Sequence, residues 1–154
     1  WQGYDFYFRE GFCWTDVNSV YLKSRVKAKG VHDVLSMSLF TLVEAIPDWF
    51  IVCLINSKFV SELVETFVNS TSHFQINDAR QLPLIVPSKE QYQEFESIFN
   101  RAYAVKKKQF AGAIEAKEAD EQLNTIQAEL DQKVLELYGL TENEIKIVEN
   151  SITN

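Results

Sequence analysis

Apolar residues change rhythm once along this chain, near Pro87. Before that point the pattern is short and mixed. Tyr4, Phe6 and Phe8 interleave with Asp5, Tyr7 and Arg9, the two-residue period of a half-buried strand. Glu10-Gly11 predicts a turn, Phe12-Cys13-Trp14 a second short strand, and residues 16–19 a loop. From Tyr21 to Lys29 one parity carries Lys23, Arg25, Lys27 and Lys29 and the other Ser24, Val26 and Ala28. Gly30 closes that run, and residues 34–40 predict a further strand. Pro47-Asp48 opens a helix that should end near Asn56-Ser57, where Ser57 caps the next one. Phe59, Leu63 and Phe67, with Val60, Val64 and Val68, give that second helix its spacing.

The change itself is local. Pro83 lacks an amide hydrogen and pushes its predecessor toward extended geometry, so residues 82–86 read as an edge strand. Ser88 stands at a helix N-cap, with Gln91 in the capping-box position. Beyond it the period is helical. Tyr92, Phe95, Phe99, Ala102 and Tyr103 form one seam; Leu123, Ile126, Leu130, Val134 and Leu137 form a second, coiled-coil-like one. Gly112 lies between them and weakens a helix by roughly 1 kcal/mol relative to Ala. A hairpin of two antiparallel helices is the preferred reading, and one unbroken rod the alternative. Tyr138-Gly139 ends the second helix with Gly at C′, and Thr141 with Glu144 starts a short last one. The predicted class is α+β: a mixed module over 1–88, then a helical spacer or hairpin with a short terminal helix over 89–154.

Composition narrows this only in places. The 46% apolar and 13% aromatic content of the 154 residues argues against disorder. No apolar run approaches the ~20 residues a membrane helix needs, and no membrane partner is expected. Cys13 and Cys53 sit in apolar surroundings and are expected as free buried thiols of a reducing cytoplasm. The start at Trp1, without methionine or a leader, leads us to expect a piece of a longer protein. The net charge of −7 changes meaning when divided: residues 1–89 hold eight basic and nine acidic groups, residues 90–154 seven and thirteen. The acid load belongs to the helices, so a basic surface at the front would not be overwhelmed.

That surface has a candidate. In an extended backbone alternate residues share a face, so Lys23, Arg25, Lys27 and Lys29 could follow DNA phosphates with a marked salt dependence. The competing reading is a solvated strand edge guarded by lysines. Two polar turns offer base-reading groups: Thr15, Asp16 and Asn18 after Trp14, and Ser72, His73, Gln75 and Asn77 before the proline-braced run. Ordinary turn chemistry favours the same residue types. Asn56-Ser57-Lys58 is accounted for as a capped helix junction, with a phosphate contact at Ser57 or Lys58 as the alternative. His32 and His73 have no cysteine at ligand spacing, which argues against zinc. A nucleophile elbow is absent, and Pro47-Asp48 with Glu115-Ala-Lys117 makes a poor nuclease pattern because both pieces fall in helical stretches. No catalytic site and no metal site is expected.

Four stretches in order carry a resemblance: Leu54-Ile-Asn-Ser-Lys58, the Ser72-His-Phe-Gln-Ile-Asn77 turn, Leu82-Pro-Leu-Ile-Val-Pro87, and the ending from Leu130-Asp131 through Leu137-Tyr-Gly-Leu-Thr-Glu142 to Glu149. They resemble the C-terminal target-recognition region of bacterial adenine-specific DNA methyltransferases. That group includes type IIG restriction–modification enzymes and the methyltransferase of BREX phage-defence systems. Type I specificity subunits share the plan of a recognition domain followed by helices. The front, with Tyr7-Phe-Arg-Glu-Gly-Phe-Cys-Trp-Thr15, Lys23-Ser-Arg25 and Gly30, is most similar to the BREX and type IIG members.

The resemblance implies double-stranded DNA as partner, with methyl transfer performed by a catalytic domain elsewhere in the same protein. It implies S-adenosylmethionine in that parent and no cofactor here. The Asn/Asp-Pro-Pro-Tyr/Phe signature that holds a flipped adenine is absent, so this chain is not expected to be an enzyme by itself. Other defence-system subunits are further expected partners. A different class of function stands beside it: an interaction module whose helices dock a partner protein and which reads no bases.

Overall fold

Phe12, Cys13 and Trp14 form the centre of a sheet. In the computed structural model, which describes residues 4–14, 22–31, 37–71 and 73–152 (side chains to 148), β1 (Gly11–Trp14) lies between β2 (Ser24–Lys27) and β3 (Ser38–Leu39). Both pairings are antiparallel, with Phe12 opposite Val26 and Leu39, and Cys13 opposite Arg25 and Ser38. Directly opposed residues share a face. Phe12, Trp14, Ser24 and Leu39 therefore point inward, while Gly11, Cys13, Arg25, Lys27 and Ser38 belong to the outer face.

The inner face packs on α1 (Asp48–Ile55), whose sequence DWFIVCLI is apolar all round because the helix is buried on two sides. Val52 and Ile55 meet Phe12, Trp14, Val60 and Phe74 in one core. Phe50, Cys53 and Leu54, at i, i+3 and i+4, meet the helical half in another. Ser57 caps α2 (Lys58–Leu63) as the sequence predicts, its Oγ accepting from the Val60 amide at 3.2 Å. That helix does not run on regularly to Val68. Residues Val64–Val68 form a π-helical turn, closed by the Asn69 amide on the Val64 carbonyl at 2.8 Å. The widened turn takes Phe67 out of the expected apolar row and leaves it exposed.

A short α3 (Ile76–Ala79) precedes the prolines. Residues 82–86 form no strand: a bend at Leu82 is followed by chain without regular structure that joins no ladder. Leu82 and Ile85 pack inward against the two cores, and the Tyr138 hydroxyl donates to the Pro83 carbonyl at 2.5 Å. The segment is a strap pinned by side chains, because Pro83 and Pro87 remove the donors a strand would need. Ser88 and Gln91 make the predicted capping box.

The rod alternative is excluded. Helices α4 (Lys89–Phe110) and α5 (Ala116–Tyr138) pack as an antiparallel hairpin. Its register is marked by Arg101 with Glu129 at 2.6 Å and Glu94 with Lys133 at 3.0 Å. Exposed pairs contribute about 0–1 kcal/mol. Burial of Phe95, Ile98, Val105, Ile126, Leu130 and Val134 is what holds the hairpin, at roughly 1.5–3 kcal/mol for each large side chain. Gly139 at φ +68° ends α5, and the Leu140 amide returns to the Leu135 carbonyl at 3.3 Å. The Thr141 amide and hydroxyl both donate to Glu144 at 2.7 Å, capping α6 (Glu142–Ile152). The fold is α+β. Among the described residues no helix is long and apolar enough to cross a membrane.

Candidate nucleic-acid interface

The first residues are not the predicted strand. Tyr4–Phe6 make a single 3₁₀ turn, with the Tyr7 amide on the Tyr4 carbonyl at 3.1 Å and the Arg9 amide on Phe6 at 3.4 Å. This coil brings Phe6 onto Phe40, a stacked pair with centroids 5.1 Å apart. Phe40 in turn occupies the space above Gly11, where a Cβ would lie 2.5 Å from the ring. Gly11 is therefore required by packing, not only by a turn. Lys27, opposite Gly11 across the ladder, reaches over it until its ammonium lies 5.7 Å from the Phe40 centroid. The Arg9 guanidinium sits 4.9 Å from the Phe6 centroid and 5.8 Å from that of Phe40. Cation–π attraction holds both cations against the outer face.

Arg25 shares that face, and Lys23 and Lys29 flank the strand. Arg25, Lys23 and Lys29 are exposed; Lys27 is not a projecting tooth of the comb, because its Nζ is turned inward and buried without a hydrogen-bond partner. Among the described residues none of Arg9, Lys23, Arg25, Lys27 and Lys29 forms an ion pair, whereas Lys58, Arg101 and Lys133 all have carboxylate partners. The comb is thus shorter than its sequence suggests, and Arg9 joins it from outside the run.

The position of β2 is fixed from behind. The Ser24 amide donates to Asn56 Oδ1 at 2.7 Å and Asn56 Nδ2 donates to the Ser24 carbonyl at 2.9 Å. One carboxamide thereby pairs with both backbone groups of an edge strand, as a neighbouring strand would. The next residues carry the link onward. Gln127 of α5 donates to the Asn56 carbonyl at 3.0 Å, and Asp131 accepts from the Lys58 amide at 2.9 Å. The Asn56-Ser57-Lys58 junction accordingly serves as a clamp between sheet and hairpin.

The second predicted group is the turn before the prolines. Phe74 is buried behind Trp14, whose indole Nε1 donates to the Phe74 carbonyl at 2.8 Å. That contact sets the turn at the Trp14–Ser24 end of the sheet and leaves His73, Gln75 and Asn77 exposed. Asn69 organises it, donating to the His73 carbonyl at 2.8 Å and to Asp78 at 3.0 Å, while the Gln75 amide donates to Asp78 at 2.8 Å. Asn77 Oδ1 accepts from Arg80 at 3.2 Å. Thr15, Asn18 and Ser72 lie outside the described residues, as do Asp16 and His32. The structure puts Arg25 and Lys27 on the outer face with Arg9 against Phe6 and Phe40 beside it, leaves Lys23 and Lys29 flanking β2, and puts His73, Gln75 and Asn77 at one end. Arg9, Phe6 and Phe40 were missed by sequence reasoning, since a regular alternation masks a 3₁₀ turn.

Phe8 completes this region. Its φ is +61°, the left-handed conformation, and its amide donates to the Gly30 carbonyl at 2.9 Å. A bulky side chain there costs about 1–2 kcal/mol relative to right-handed backbone. The ring is nonetheless 64% exposed, and Tyr4 beside it is 68% exposed.

A half-open cavity of about 260 Å³ lies between the sheet, α1, α2 and the strap; Phe12, Leu39, Leu54, Ile55, Val60 and Leu82 are among its walls, and no charged residue is. Burial pushes the Cys53 thiol up to about 12, far from thiolate reactivity, and Cys13 is buried and unpaired too. Among the described residues no group of three His, Cys, Asp or Glu is placed to hold a metal ion. Compared with known proteins, the chain matches no family model, and no curated sequence aligns with it.

Proposed function

We propose that this chain is the target-recognition module of a bacterial adenine-specific DNA methyltransferase of the restriction–modification or phage-defence kind, working in the cytoplasm. It positions a catalytic domain of the same protein on double-stranded DNA and carries out no chemistry itself. S-adenosylmethionine would be bound by that domain. The observation that supports the reading is the set of cations, Arg9, Lys23, Arg25, Lys27 and Lys29, that form no ion pair among the described residues and lie on or beside the outer face of the sheet. Unpaired cations held by aromatic rings are costly to leave together unless a polyanion meets them. His73, Gln75 and Asn77 at the sheet end supply amide and imidazole groups able to read base edges.

Binding of the chain to a short mixed-sequence duplex, followed across a salt series, tests this. Changing Lys23, Arg25, Lys27 and Lys29 together to Gln should weaken binding to every sequence and flatten the salt slope by about 2–3 units, near 0.9 per lost phosphate contact. Affinity and slope equal to wild type would place DNA elsewhere. The competing reading, a protein-docking module, draws on the far end of the hairpin, where Phe110 is 86% exposed and Tyr103 also faces solvent. Loss of partner association on changing Phe110 to Asp, with DNA binding absent throughout, would favour it.

A further inference from the structure

The ring of the strained Phe8 is 64% exposed and stacks on no other ring among the described residues. A residue with positive φ is ordinarily Gly or Asn, and a large aromatic ring is ordinarily buried. Phe8 violates both rules at one position. Its amide is tied to the Gly30 carbonyl at 2.9 Å, which sets the Phe8 backbone beside Gly30, and the exposed Arg9 and Lys29 are the sequence neighbours of these two residues. The Lys27 stem runs past Gly30, its Cε 4.0 Å from where a Gly30 Cβ would be, and ends in the buried Nζ over Phe40. An exposed apolar ring on an unfavourable backbone, with exposed Arg9 and Lys29 nearby in the chain and without an ion pair among the described residues, has the composition of a wedge that enters a base stack while phosphates are held beside it.

We infer that Phe8 is a stacking wedge, inserting its ring against a nucleobase of the bound duplex and opening one base step. This rests on the DNA-recognition reading and adds to it a mode of contact that the cations do not provide. The bond is apolar, so it contributes affinity with little salt dependence. It also distorts the helix next to the site, which would ease extrusion of a base by a catalytic domain.

The test uses the whole chain and a short duplex carrying 2-aminopurine at several adenine positions, whose fluorescence rises when a neighbouring base unstacks. Wild type should bind and raise the signal. Phe8→Ala and Phe8→Gly should lose the rise and bind roughly 5- to 150-fold more weakly, with the salt slope unchanged. Phe8→Trp should keep both. Phe8→Gly should at the same time melt higher than wild type, because glycine relieves the positive φ; a stabler but weaker-binding variant is a signature that a packing role cannot produce. Normal unstacking by Phe8→Ala would overturn the inference while leaving DNA recognition in place. A lower melting temperature for Phe8→Gly would also overturn it, by showing the ring to be structural. No binding by wild type at low salt would remove the recognition reading and the wedge with it.

Discussion

Asn56 makes the two contacts a strand would make, and it does so with one side chain. The donor and acceptor of its carboxamide match the amide and carbonyl of Ser24 at 2.7 and 2.9 Å. No other residue type of that length offers both groups in one plane. Asn56→Ala leaves the Ser24 groups short of partners in a half-buried place, and the expected loss is about 1–3 kcal/mol in urea unfolding, seen as a lower midpoint at an unchanged slope. Asn56→Asp keeps the acceptor but sets a carboxylate against the Ser24 carbonyl, and should be at least as costly. A variant as stable as wild type would show that the edge is held by Ser24 Oγ on the Val52 carbonyl, at 3.4 Å, alone. The sequence showed the junction as a helix cap, which it is. It could not show the second use, because Asn56 pairs with a strand thirty-two positions away.

Among the elements, those with local causes were legible. The caps at Ser57, Ser88 and Thr141, the C′ glycine at 139 and the two hairpin seams follow from neighbours within four residues, and the structure has each of them except that Tyr103 leaves the first seam for solvent. The misread elements are those decided by distant partners. Residues 4–8 alternate like a strand, but Phe6 is claimed by Phe40, and the chain coils to deliver it. Residues 82–86 have strand composition, but Tyr138 and the cores claim them instead. Of the candidate site, the cation run was readable, while the inward turn of Lys27 and the arrival of Arg9 were not.

One contact between elements carries a pH dependence. Asp131 of α5 accepts from the Lys58 amide at the start of α2 and from Gln127, yet its side chain is only 14% exposed. Burial pushes its carboxyl above the ordinary value, outweighing those hydrogen bonds and the Lys58 charge. A raised acid favours the protonated form on folding, so this contribution is present below the ordinary carboxylate pKa and lost as pH rises through the native one. Asp131→Asn cannot titrate. Its stability relative to wild type should therefore improve from about pH 3 to neutrality, measured by urea unfolding at several pH values. A trend in the opposite direction would mean that Lys58, 3.8 Å away, governs the carboxylate.

At the scale of the whole molecule, the boundary suggested by the change of period does not divide the packing. The seam Tyr92, Phe95 and Phe99 was expected to bury itself against the second helix, and period alone cannot name a partner. In the structure it also receives α1: Phe50 meets Tyr92 and Phe95 with centroids 5.1 and 5.3 Å apart, and Trp49 meets Tyr92 and Phe99 at 6.2 and 6.0 Å. Phe50, Cys53 and Leu54 thus belong to the same core as Val134 and Leu137. Removing residues 89–154 would expose that whole face of α1, free the strap from Tyr138, and take Gln127 and Asp131 from the junction that holds β2. Residues 1–88 produced alone are expected to lack a sharp thermal transition and to regain one when residues 89–154 are supplied in trans, followed by circular dichroism. Cooperative unfolding of 1–88 by itself would show an independent front. The expected outcome bears directly on function, because a recognition surface whose strand is clamped to the hairpin can be exchanged between proteins only together with the helices that set it.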